Sequence, residues 1–117
     1  MDNERRKDIA ERCLNFGVMV VQLAATLPKT DVGRILVRQF VRSGTSVGAN
    51  VEEAQDAASK KDFINKMSIA LREAEETQYW MRLMSKIGVN SNIFVRVFRE
   101  CQEICAILTV IVKNAKK

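Results

Sequence analysis

Apolar residues recur at alternating steps of four and three along nearly the whole chain, a spacing that predicts four long amphipathic helices. The first covers about 4–27, with Ile9, Cys13, Phe16, Val20, Leu23 and Leu27 on one stripe and Pro28 ending it. The second covers about 31–58, capped by Thr30 or Asp31, with Leu36, Phe40, Gly44, Val47, Val51, Ala54 and Ala58 on its stripe. Ser59 and Asp62 form a variant capping box that opens a third helix over about 60–87. This helix carries Phe63, Met67, Ala70, Ala74, Thr77, Met81 and Met84, and Gly88 supplies the left-handed residue that closes it. The fourth covers about 91–114, capped by Asn90 or Ser91, with Phe94, Val97, Cys101, Ile104, Leu108 and Ile111 facing inward. Lys113, Lys116 and Lys117 suit the negative end of its dipole.

The second helix contains a local conflict. Gly44 and Gly48 each cost a helix interior about 1 kcal/mol relative to alanine. Either the chain breaks within SGTSVGAN, or a neighbouring backbone comes too close for a side chain. The stripe crosses the segment without losing phase, which favours continuity. Joints of a few residues then force each helix to run antiparallel to the one before. The expected fold is a single all-α domain over 1–117, an up-down-up-down four-helix bundle.

The third helix offers more apolar surface than one stripe. Ile64 and Leu71 lie on one flank, and Ile69, Glu73, Glu76, Trp80, Leu83 and Ile87 follow one another on the other. The second flank is expected to be a self-association surface, with Ile69, Trp80, Leu83 and Ile87 as its apolar contacts and Trp80 as anchor; the alternative is a wide core-facing stripe.

Charge adds an asymmetry. Folding the helices back gathers about 16–43 and 79–99 at one end, where Lys29, Arg34, Arg38, Arg42, Arg82, Lys86, Arg96 and Arg99 face only Asp31. That is eight minus one, or +7, in a chain of net charge +5. Widening the cut to include Glu73, Glu75 and Glu76 lowers the figure to +4 without reversing the polarity. Pairing Ala58 beside Lys60 sets Arg42 opposite Glu76 and Glu52 opposite Lys66, so part of this charge can be neutralised internally. The remainder makes a field suited to phosphate.

The apolar fraction of 47% and charged fraction of 28%, with one proline and five glycines, fit a helical globular domain. The N-terminal MDNERRKDIAERC lacks a secretory apolar run, and no stretch is long and apolar enough to span a bilayer, so a cytoplasmic location is expected. Cys13, Cys101 and Cys105 each lie on an apolar helical stripe and read as reduced packing residues, with a three-thiolate metal site as the alternative. There is no histidine, no phosphate-binding glycine loop and no catalytic constellation beyond the weak pair Glu73 and Glu76. Neither an enzyme nor a cofactor or metal is expected.

VRSGTSVGANVEEA followed by KDFINKMSIALREAEETQYWMRLM resembles the four-helix-bundle proteins encoded by intervening sequences in bacterial 23S ribosomal RNA genes. That family is similar to the accessory variability determinant of diversity-generating retroelements. Arg42, Ser46, Asn50 and Glu53 match its motif, while Val51-Glu52-Glu53-Ala54 replaces the usual isoleucine-alanine-glutamate-glycine run. The resemblance implies a ring-like homopentamer with a basic surface, which in the retroelement relatives meets nucleic acid and reverse transcriptase. Physically, Ser46, Asn50 and Glu53 recur about a turn apart and are expected to hydrogen-bond across a helix pair. The expected function is non-enzymatic nucleic-acid binding by an oligomer through Arg34, Arg38, Arg42, Arg82, Lys86, Arg96 and Arg99. The alternative is a scaffold whose oligomer holds another protein.

Overall fold

The computed structural model describes residues 2–117, and these form four helices. They are α1 (Asn3–Ala24), α2 (Asp31–Gln55), α3 (Lys60–Lys86) and α4 (Asn92–Ala115). Each packs on its sequence neighbours, and α4 returns to α1, so the helices sit at the corners of a square bundle. Its long axis is 44 Å, close to the roughly 40 Å expected of a 27-residue helix.

Local chemistry sets the boundaries. The hydroxyls of Thr30, Ser59 and Ser91 accept the amides of Gly33, Asp62 and Phe94, fixing the starts of α2, α3 and α4. The Asp62 carboxylate accepts the amide N–H of Ala58 rather than that of Ser59, so the capping box is shifted by one residue. Gly88 has φ 101°, and the amides of Gly88 and Val89 close back onto the carbonyls of Ser85 and Met84.

The inward stripes of α1 and α3 are buried throughout. Three expectations at helix ends need correction. α1 stops at Ala24, three residues early, although Leu27 still enters the core. α2 stops at Gln55, and Ala58 is exposed in the joint, because Asp56 leaves helical geometry to let the chain turn. Near the end of α4 the buried residue is Val112, with Ile111 only half-buried. A straight helix of 3.6 residues per turn drifts away from a 3.5-residue pattern.

α2 is unbroken through both glycines. A Cβ on Gly44 would lie 2.8 Å from both methyl carbons of Val20, and one on Gly48 would lie 3.0 Å from the carbonyl oxygen of Cys13. The glycines therefore admit α1 against α2, and the helix-propensity cost is offset by this contact. Gly44→Ala should lose a net 1–2 kcal/mol, roughly, in urea unfolding despite the better helix former. Combining it with Val20→Ala should cost less than the sum of the two single losses. Strict additivity would show that the approach to Val20 is not the constraint.

Candidate nucleic-acid interface

The seam between α2 and α3 organises the middle of the bundle. Ser43 and Thr77 are wholly buried, and their hydroxyls hydrogen-bond to each other across the seam at 2.9 Å. Thr77 Oγ1 also lies 2.7 Å from the carbonyl of Glu73, and Ser43 Oγ lies 3.3 Å from that of Phe40. Just outside this buried pair, the Arg42 guanidinium spans two carboxylates. Nη1 reaches Glu73 at 3.2 Å and Nη2 bonds Glu76, whose Oε2 also accepts the Trp80 indole N–H at 3.1 Å. The indole hydrogen bond and then Arg42 hold the Glu76 carboxyl below its ordinary range, and Glu76 in turn raises Arg42 above its own.

The expected Arg42–Glu76 contact is therefore present. Lys66, however, meets Glu53 at 3.1 Å rather than Glu52, which lines a hollow on the α1 side of α2. Ser46 and Asn50 do not cross the helix pair. They donate to their own helix at the carbonyls of Arg42 (2.7 Å) and Ser46 (2.8 Å), which lie one turn back and within easy reach. Of that trio only Glu53 reaches across. The polar link the motif reading missed is Ser43–Thr77. Its signal was a threonine on an otherwise apolar stripe, since a buried hydroxyl requires a partner.

Because Lys66, Glu73 and Glu76 all reach α2, the flank of α3 that carries them is the one turned toward α2. Ile69, Trp80 and Leu83 lie half-buried on that flank, and Trp80 packs against the core, while Ile87 is 65% exposed. A further exposed apolar face lies on α1, where Leu14, Val18 and Val21 are each about half exposed. They border a shallow hollow of about 460 Å³ floored by the small residues Gly17, Thr45, Gly48 and Ala49.

At the basic end the arginines divide into two classes. Arg42 is held by its two carboxylates, and Arg34 lies 3.5 Å from Asp31. Arg38, Arg82, Lys86, Arg96 and Arg99 are exposed, and among the described residues none has a carboxylate within 4.0 Å. They come from α2, α3 and α4, so the free charge is spread around this end rather than along one helix. Exposed Val32, Ile35, Tyr79 and Val95 are interleaved with them in the sequence of the same helices. Antiparallel neighbours bring opposite dipole ends together here, so side-chain charges dominate the local field.

The thiols behave as packing groups. Burial pushes Cys13 up to about 12. The neighbouring Cys105 thiol, followed by burial, raises Cys101, whose Sγ donates to the carbonyl of Ala74 at 3.5 Å. Among the described residues, no three Cys, Asp or Glu side chains converge as a metal ligand set.

Residues 5–110 match the 23S rRNA-intervening sequence protein family. The chain belongs to that family. A crystal structure from Bacteroides thetaiotaomicron, a protein of unknown function in the S23 ribosomal protein family, is 36% identical to this member. The alignment covers 92% of this chain and 97% of the Bacteroides chain, with a TM-score of 0.83. No curated protein matches the chain. The four-helix scaffold is thus shared over most of the bundle.

Glu76 provides a pH test of the seam. Its folded value lies below the ordinary 4.5, so its contribution is complete above that value and disappears as pH falls through the folded one. Glu76 is 36% exposed, and solvent screening keeps the effect small. Glu76→Gln should lose about 0.5 kcal/mol in urea unfolding near neutrality. As pH falls below 4.5 and through the lowered folded value, the variant and parent curves should converge. A gap that persists in acid would assign the loss to packing instead.

Proposed function

We propose that this family member is a non-enzymatic homo-oligomer that binds nucleic acid through the basic end of its bundle. The carrying observation is that five cations carried on three helices, Arg38, Arg82, Lys86, Arg96 and Arg99, are exposed with no carboxylate within 4.0 Å among the described residues, as is Lys29 in the first joint. Paired arginines have already exchanged solvent for a carboxylate, whereas these five are free to meet phosphates and release counterions. Spread over three helices, they suit backbone contact without base readout. The family name, which places these proteins with 23S rRNA intervening sequences, makes RNA the first ligand to test.

Self-association is assigned to the face of α1. It presents protruding Leu14, Val18 and Val21 beside a hollow of small residues, so a second copy supplies both knobs and space. This face lies on the side of the bundle. Pairing through this one self-complementary face gives a two-fold dimer, and a ring of the pentameric kind the family resemblance implies uses a second, complementary face as well; either assembly multiplies weak phosphate contacts.

Affinity for a single-stranded RNA should fall steeply with salt, with a log–log slope of about −3 to −4 per chain if all five cations contribute. Replacing Arg82, Arg96 and Arg99 together by Gln should flatten the slope by roughly 2 and leave the circular dichroism spectrum unchanged. Absence of binding at low ionic strength, or an unaltered slope in the triple variant, would remove this reading. Light scattering should show an oligomer that Val18→Glu dissociates, and a monomeric parent protein would remove the oligomeric half. The exposed Val32, Ile35, Tyr79 and Ile87 at the same end favour a second reading, a scaffold that holds another protein. A partner recovered after nuclease treatment and lost on Ile87→Glu, from a protein that binds no RNA, would establish it.

A further inference from the structure

At the opposite end of the bundle, α1 and α4 are the least closely packed neighbours, and the seam between them opens into a groove of about 900 Å³. Its apolar lining comes from Ile9 on α1, Phe63 on α3, and Ile107, Val110 and Ile111 on α4. Its charged lining comes from Arg5, Arg6, Arg12 and Lys60, with Asp8 as the one acid. That is four positive charges against one negative, on a concave surface that is otherwise largely hydrocarbon.

The cations differ in how they are occupied. Arg12 forms a two-pronged bridge to Glu100 at 2.9 and 2.7 Å and also meets Glu103 at 3.6 Å, so its charge is matched. These bonds raise Arg12 above its ordinary value and tie α1 to α4 beside the groove. Arg5 lies 3.8 Å from Asp2 in solvent, and Lys60 Nζ donates one of its three N–H groups to the carbonyl oxygen of Lys117 at 2.9 Å. Arg6 is different. Its guanidinium sits 4.4 Å over the Phe63 ring, and its Nε is buried without a hydrogen-bond partner among the described residues. No carboxylate lies within 4.0 Å of it among the described residues. Stacking on the ring orients the cation but gives its N–H no acceptor. An unsatisfied buried donor is unfavourable, more so on a charged group, and an anionic oxygen entering the groove would relieve it.

We propose that this groove binds a small amphipathic organic anion, with a carboxylate or phosphate head at Arg6 and Lys60 and an apolar body over Ile9, Ile107 and Ile111. The volume is of the size that encloses a small molecule, and the mixture of hydrocarbon walls with a few cations is what such a ligand requires. The site is separate from the proposed nucleic-acid surface, being at the other end of the molecule and built from other residues. A freely dissolved ligand is assigned rather than a lipid in a bilayer, because Arg6 is half-buried in the lining of the concavity and not on a protruding face.

Isothermal titration calorimetry of the full chain with decanoate and with decyl phosphate should show one site per chain. Decanol, which lacks the charge, and inorganic phosphate, which lacks the apolar body, should each bind about tenfold more weakly or worse. Arg6→Gln should weaken decanoate by a similar factor. Val110→Glu, at an exposed position in the lining, should do so by charge repulsion without disturbing the core. Arg82→Gln should leave decanoate binding intact while weakening RNA, so failure here and failure of the nucleic-acid reading are separable. Equal affinity for decanol and decanoate, or unchanged binding in both Arg6→Gln and Val110→Glu, would overturn the proposal. Co-sedimentation with phosphatidylglycerol vesicles, abolished by those same substitutions, would overturn the assignment to a free ligand.

Discussion

The contact between α1 and the glycines of α2 governs much else in this molecule. Gly44 and Gly48 leave room for Val20 and for the Cys13 carbonyl, so α2 continues through a sequence that composition alone would read as a loop. Were the chain to break there, it would gain a fourth joint and lose the simple alternation of direction. Continuity of α2 keeps the joints short, and short joints make neighbouring helices antiparallel. That alternation brings the first and third joints together, and with them the cations of three helices. The basic end thus follows from close helix packing in the middle of the bundle, not from a local run of basic sequence.

The α2–α3 seam adds specificity. Apolar stripes alone would tolerate sliding of one helix past another, since methionine and alanine fill space without fixing register. The buried Ser43–Thr77 hydrogen bond is less forgiving, because separating the two hydroxyls leaves both without their seam partner in a dry interior. Arg42 with Glu73 and Glu76, and Lys66 with Glu53, repeat the same register on the rim. Exposed bridges of this kind contribute little apiece, so their value lies in agreeing with the buried pair rather than in strength.

The helices, their inward stripes and the Arg42–Glu76 bridge were legible in the sequence because each depends on spacing along one helix or on a simple antiparallel register. What spacing does not tell is which neighbour covers which flank. The Ile69–Ile87 flank of α3 reads as spare surface until α2 is placed against it. Leu14, Val18 and Val21 lie outside their own stripe, and only the helix arrangement leaves them uncovered around a hollow. The slip from Glu52 to Glu53 has the same origin, since adjacent residues on a helix point about 100° apart and only one faces α3. The α1–α4 groove lay beyond any periodicity argument. It depends on how two helices distant in sequence diverge at their ends.

Cations at the two ends of the bundle have different physical standing, although a charge count treats them alike. At one end Arg38, Arg82, Lys86, Arg96 and Arg99 are exposed and unmatched among the described residues, so their effect is long-ranged, additive and screened by salt. At the other, Arg12 is neutralised by Glu100 and Glu103, and Arg6 is drawn over Phe63 with part of its guanidinium removed from water. A desolvated cation acts over a short range, is weakly screened, and discriminates by the geometry of what enters its site. A flexible polyanion is matched by the first arrangement and a small shaped anion by the second. The difference arises from apolar neighbours rather than from the basic residues themselves. Phe63 and Ile9 convert an arginine that would otherwise be one more surface charge into part of a concave site.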